Sequence, residues 1–339
     1  MTLHSIRMTA LAGVVAALPS AVFAQDITLR ISHYVPPTMG IHTDLVQPWA
    51  EALQECTGGR VGFEISTGGS ALGNVGRQYD QVRAGIVDVA FGLQGIPRGR
   101  FPATSLLEVP FIAGSARAAS LGLWDIFPEY LAQEYEGVHV LALTAPNPAM
   151  LNTREPVRVP DDMAGMRIRT PTPGVSAMLT ALGATPVGLP PAEMYENLQR
   201  GTLDGAAIGW NAVASFRLYE VTQYHTIGSF YVVPFFFVMN QGTYDGLPDD
   251  VRACVDQVSG DGLVARIADM WDVWDADSRA RIEAESDNTF IVLDEAETQM
   301  WKDRLAPVTD ELIAAAEAQG VANAREIYNA LVAAIQSHE

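Results

Sequence analysis

Tyr79-Asp80-Gln81-Val82-Arg83-Ala84-Gly85-Ile86-Val87-Asp88-Val89-Ala90 and Tyr195-Glu196-Asn197-Leu198-Gln199-Arg200-Gly201-Thr202-Leu203-Asp204-Gly205-Ala206 are near-copies of one another, 116 positions apart. Each reads as a helix stopped by a glycine and turned at once into a buried strand. Glycine suits the left-handed residue that closes a helix, and a short apolar run behind an aspartate suits a strand covered on both faces. Tyr, Gly, Asp and Ala recur in register, so the chain is expected to hold two homologous α/β lobes. In open, mostly parallel sheets ligands gather beyond the carboxyl ends of the strands. The ends Gly92 to Gln94 and Ile208 to Asn211 should therefore face one shared crevice.

Outward from the copies the alternation continues. Ile27 to Ile31 is strand-like, Thr43 to Cys56 is helical and stopped by Gly58-Gly59, and Val61 to Ile65 is again a strand. Strand and helix in turn mark an α/β chain with mostly parallel sheets. Leu141 to Thr144 should cross into the second lobe near Ala145 to Pro148, and the apolar run Tyr231 to Met239 should cross back, which makes a two-strand hinge. The expected division is 25–145 for lobe 1, 146–232 for lobe 2, 233–260 for a return to lobe 1, and 261–339 for C-terminal helices packing across both lobes. Met270, Trp271 and Trp274 form a stripe at helical spacing, which reads as core.

At the N-terminus Arg7 precedes the apolar run Met8 to Val22, and Val22-Phe23-Ala24 offers small residues before Gln25. This is the pattern of a secretory signal peptide over residues 1–24, which predicts a mature chain in the periplasm. The sequence holds 21 Lys+Arg and 40 Asp+Glu; removing Arg7 gives 20 − 40 = −20 for the mature chain. Nucleic acid is a poor partner for such a charge, and an anionic ligand would need a locally placed cation. Cys56 and Cys254 are a possible disulfide in an oxidising compartment, but spacing does not say whether they meet.

Catalytic patterns are missing. Gly68-Gly69-Ser70-Ala71-Leu72-Gly73 misses the nucleophile-elbow spacing by one residue, and His33, His42, His139, His225 and His338 are scattered. No nucleotide-binding glycine pattern or zinc spacing is present, so neither cofactor nor metal is expected. The local cation is best sought in Met166-Arg167-Ile168-Arg169-Thr170-Pro171. Pro171 ends that short strand and leaves Arg169 at its carboxyl end, in what should be a solvated cleft, with a planar fork suited to a carboxylate.

Asp161-Asp162-Met163-Ala164-Gly165-Met166-Arg167-Ile168-Arg169-Thr170-Pro171, Leu182-Gly183-Ala184-Thr185-Pro186-Val187, Glu193-Met194-Tyr195-Glu196 and Gln199 to Gly205 resemble the core signature of the DctP-type substrate-binding proteins of TRAP transporters. The resemblance runs from about Ile27 to beyond Tyr244. It implies a type II periplasmic-binding fold of two α/β lobes, a two-strand hinge and a long C-terminal helix. It also implies a carboxylate solute passed to a membrane permease of a small and a large subunit, without ATP and without chemistry on the solute. Arg169 matches the family arginine that pairs with the substrate carboxylate. Two positions depart from the sialic-acid binders of that family: Ile208 replaces an asparagine, and Ala149 stands where a second arginine is found near the hinge. A sugar acid is therefore disfavoured and a smaller, partly apolar, even aromatic monocarboxylate expected, or a quaternary-ammonium acid held against an indole. Trp210, Phe235 and Tyr34 are the candidate walls, and Asn211, Gln94 and Asn147 the candidate polar contacts. The receptor is expected to act as a monomer. A sensing role beside a membrane signalling protein, or a secreted hydrolase, are the rival readings.

Overall fold

A computed structural model describes residues 26–96 and 99–339. The signal-peptide reading of residues 1–24 lies outside the described residues. Eleven strands follow in chain order: β1 (Ile27–His33), β2 (Val61–Ser66), β3 (Val89–Leu93), β4 (Val138–Thr144), β5 (Ala149–Thr153), β6 (Arg167–Thr170), β7 (Thr185–Gly188), β8 (Gly205–Ile208), β9 (Tyr224–Tyr231), β10 (Phe235–Asn240) and β11 (Thr289–Val292). They form two sheets, ordered β2-β1-β3-β10-β4 and β11-β9-β5-β8-β6-β7.

The near-copies sit at matching places in the two sheets. Gly85 and Gly201 close their helices with φ of 68° and 71°, the left-handed region that glycine enters without penalty. The aspartate that follows has the same partner in each lobe. Asp88 Oδ2 accepts from the backbone N of Arg30 at 2.8 Å and from its Nε at 3.1 Å, while Arg30 Nη2 donates to Gly85 O. Asp204 Oδ2 accepts from the backbone N of Arg167 at 2.8 Å and from its Nε at 2.9 Å, while Arg167 Nη2 donates to Gly201 O. One motif thus stitches β1 to β3 and β6 to β8, with Ser32 opposite Ala90 in one register and Arg169 opposite Ala206 in the other.

From that overlap the sheets correspond strand for strand: β2, β1, β3, β10 and β4 match β7, β6, β8, β5 and β9. In each sheet an antiparallel strand lies beside the copied strand, β10 beside β3 and β5 beside β8. Both of these strands arrive from the other lobe. The chain leaves β4 in one sheet for β5 in the other, and leaves β9 for β10 on the way back. The return run is not one continuous strand, because pairing stops at Tyr231 and resumes at Phe235.

To its expected helices the C-terminal region adds one strand, Thr289–Val292, which forms β11 parallel to β9 at the edge of the second sheet. Its helix Asp261–Glu285 touches both lobes: Asp269 pairs with Arg117 and Asp261 accepts from Trp124 Nε1 on the first, while Asp275 accepts from the N of Asn211 and Glu285 bonds Tyr219 on the second. Helix Glu295–Ala318 does the same, with Trp301 Nε1 donating to Arg158 O at one end and Ile313 and Ala316 entering the first lobe's core at the other. Cys56 and Cys254 are bridged, joining helices Gln47–Cys56 and Asp249–Gln257 across 198 positions.

Candidate functional site

Between the sheets lies a cavity of about 90 Å³ to which nearly every copied or crossing element contributes. Tyr34 follows β1, Leu93 ends β3, Arg169 lies in β6, and Ile208 and Asn211 stand at and just beyond the end of β8. Asn147 and Ala149 come from one crossing, Tyr231, Val233 and Phe235 from the other, and Trp271 and Asp275 from the helix Asp261–Glu285. The space widens past Tyr34, Pro171, Pro191 and Phe216 into an outer cleft of about 630 Å³, bordered by the glycine loop Gly68–Gly73. That loop approaches closely: a Cβ on Gly68 would lie 2.3 Å from Tyr34 O, so only glycine fits.

Arg169 is the dominant feature of the wall. Its side chain is 1% exposed rather than solvated, and its Nε donates to Leu189 O at 3.2 Å. Among the described residues no aspartate or glutamate pairs with it, whereas Arg167, two positions earlier, is half-exposed and bound to Asp204. Burial lowers the guanidinium to about 10, partly offset by the phenols of Tyr231 and Tyr34. A buried charge without a counter-ion is among the costliest groups a fold can hold, and an anion is the kind of group that would offset it. Tyr231 itself is anchored, its hydroxyl donating to Ala207 O at 2.8 Å.

The rest of the wall is apolar and aromatic. Phe235 stacks between Phe91 at 5.4 Å and Trp271 at 5.8 Å between ring centres. Ile208 and Ala149, the two positions that depart from the sugar-acid pattern, both face this space. Asn211 is buried, its backbone N donating to Asp275 Oδ1 at 2.9 Å and its own Oδ1 left without a partner. Asn147 also borders the cavity, but its Oδ1 accepts from the N of Ala116 at 2.8 Å and its Nδ2 donates to Asp272 at 3.0 Å, so it fastens two helices together. No serine, cysteine, histidine or lysine lies on the cavity wall among the described residues.

Two expected contacts lie elsewhere. Trp210 packs on Phe290 at 5.5 Å in the second lobe's own core, with Arg279 over its ring at 5.7 Å, so its indole face is already occupied by a cation. Trp210 and Asn211 are neighbours on one short helix, and the roughly 100° turn between successive residues sends one inward and the other to the cavity. Gln94 follows Leu93 and points to the opposite face of β3, where its Nε2 bonds the Tyr135 hydroxyl in a separate cavity. Tyr231, Trp271 and Asp275 are among the wall residues that escaped the sequence reading. Tyr231 opens the crossing run, and its position beside the hinge was the available signal. Trp271 belongs to the stripe read as core, and Asp275 follows it by one turn on the same helix.

Known proteins agree with this architecture. A TRAP solute-binding protein from Rhodoferax ferrireducens T118, solved with copurified benzoate, superposes with a TM-score of 0.87 at 29% identity, covering 92% of this chain and 98% of that one. A marine metagenome TRAP solute-binding protein specific for aromatic acid ligands, solved with metahydroxyphenylacetate, gives a TM-score of 0.88 at 28% identity, covering 92% and 99%. The outer membrane transporter protein TsaT of Comamonas testosteroni is 28% identical over 97% of this chain and 98% of its own length. Residues 31–316 match the DctP family, described as bacterial extracellular solute-binding protein, family 7. With two α/β lobes around a cavity and a family that binds solutes rather than transforming them, the chain belongs to the DctP-type solute-binding proteins of TRAP transporters.

Proposed function

We propose that this receptor captures a small apolar monocarboxylate, with an aromatic ring as the preferred body, in the periplasm and hands it as a monomer to a two-subunit TRAP permease. The observation that carries the reading is Arg169: a buried guanidinium with no acidic partner among the described residues, in a cavity walled by Phe235, Tyr34 and Tyr231. A carboxylate would take the free edge of the guanidinium through charge-assisted hydrogen bonds, and the ring would lie among the aromatic side chains. The benzoate and metahydroxyphenylacetate of the two solved relatives fit that chemistry. Apolar Ile208 and Ala149 would leave the hydroxyls of a sugar acid unpaired, which disfavours uronates. Residues 1–24, with their leader pattern, support export.

Isothermal titration with benzoate, phenylacetate, mandelate, glucuronate and glutarate tests the reading. Aromatic monocarboxylates should bind, and Arg169→Met should weaken them about 100-fold or more, the equivalent of ~2.7 kcal/mol lost with the paired charge. Tight glucuronate binding with inert aromatic acids, or aromatic binding untouched by Arg169→Met, sinks it.

A further inference from the structure

Trp271 Nε1 and Asn211 Oδ1 are both buried and have no hydrogen-bond partner among the described residues, and both side chains belong to the wall of the ligand cavity. Their residues are 4% and 8% exposed, and Asp275, 9% exposed, stands on the same wall with Asn211 N bound to its Oδ1. Buried polar atoms are almost always paired, so an indole N–H donor and an amide acceptor stranded together ask for a group that supplies both partners. We infer that the bound acid carries a neutral hydroxyl at the end remote from its carboxylate, accepting from Trp271 Nε1 and donating to Asn211 Oδ1 or Asp275. This rests on the monocarboxylate reading above and narrows it.

The alternatives fail on donor and acceptor count. An ammonium only donates, which would leave the Trp271 N–H unmatched. A second carboxylate only accepts, and it would be pressed against the Asp275 carboxyl. A methyl group would leave both buried atoms stranded. A hydroxyl does both. The remoteness follows from placement. Arg169 lies in β6 with its Nε on Leu189 O, whereas Trp271 and Asp275 stand on the helix Asp261–Glu285 and Asn211, beyond β8, is fastened to that helix through its backbone N. The cation and the unpaired polar atoms thus belong to different walls of the cavity, and a hydroxyl adjacent to the carboxylate would not reach this cluster.

Calorimetric affinities for benzoate, the 2-, 3- and 4-hydroxybenzoates, 3- and 4-hydroxyphenylacetate, phenylacetate and isophthalate, on wild type, Trp271→Phe and Asp275→Asn, test the inference. In wild type a 3- or 4-hydroxy acid should bind at least about tenfold more tightly than its unsubstituted parent and than 2-hydroxybenzoate. That ratio should collapse toward one in Trp271→Phe, which keeps the ring and removes only the donor, and should shrink in Asp275→Asn. Equal affinity for hydroxylated and parent acids in wild type, a preference that survives in both variants, or tighter isophthalate binding overturns it. Parent acids that bind in an Arg169-dependent way without hydroxyl preference would defeat this inference alone; acids that ignore Arg169 would defeat the monocarboxylate reading with it.

Discussion

At the residue scale, the counterpart of Arg169 in the other lobe is informative. The strand registers place Ser32 at the equivalent position of β1, a neutral side chain that donates to Gln78 Oε1 at 2.6 Å. The two lobes share a frame, and the cation proposed to anchor the solute sits where that frame's symmetry is broken. Replacing buried ion pairs with apolar side chains of similar volume is often neutral or stabilising by about 1–4 kcal/mol, and a buried cation without a partner carries its desolvation penalty with no attraction to offset it. Ligand-free Arg169→Met should therefore melt at or above the wild-type temperature while losing its response to added acid. A clear drop in its ligand-free melting temperature would mean that Arg169 holds the lobes together rather than the solute. Strand position and the fork of its side chain made Arg169 a candidate in the sequence, and the family resemblance singled it out as the proposed carboxylate anchor. Trp210 and Gln94 were misplaced because residue type states what a side chain needs, while one helical step or one strand step decides which face supplies it.

At the scale of elements, the copied segments were legible because backbone geometry demands them. Gly85 and Gly201 need a positive φ, and Asp88 and Asp204 each close the equivalent pair of strands in their own lobe through an arginine. β11 was not legible, because Thr289-Phe290-Ile291-Val292 is a short apolar run amid helices, and periodicity cannot separate such a run from a buried helical turn. The Cys56–Cys254 bridge was equally undecided by spacing, although its consequence is clear in the fold. It joins two first-lobe helices whose chain positions are separated by the whole second lobe. Closing so long a loop restricts the unfolded chain, and its loss should cost about 2–5 kcal/mol. The double variant Cys56→Ser/Cys254→Ser should melt several degrees lower by calorimetry with ligand affinity unchanged, since neither residue borders the cavity. An unaltered melting temperature would show that packing of these helices already suffices.

At the scale of the whole molecule, the lobes meet through a buried acid as well as through the ligand cavity. Glu108, in the first lobe, accepts from Thr172 Oγ1 of the second at 2.7 Å, and the amide of Gly174 favours its charged form. Two glycines make room for the contact: a Cβ on Gly95 would meet Thr172 at 2.2 Å, and one on Gly174 would meet Glu108 Oε2 at 2.3 Å. Burial between the lobes nevertheless outweighs these bonds and pushes the Glu108 carboxyl from 4.5 up to about 7. A carboxyl raised in the closed state holds its proton there after it has lost it in the open or unfolded chain. Closure is therefore most favoured below pH 4.5 and weakens as pH rises toward 7, by up to roughly 3 kcal/mol. Asp275, raised by burial to about 6 on the cavity wall, acts in the same direction. Ligand affinity should thus fall on going from pH 5 to pH 7.5. Glu108→Gln, which keeps an acceptor for Thr172 but cannot ionise, should flatten most of that fall, and Glu108→Gln/Asp275→Asn should flatten the remainder. Titrations at several pH values decide it: an affinity that rises with pH, or a slope untouched by Glu108→Gln, would mean that the lobes close without drawing on this acid.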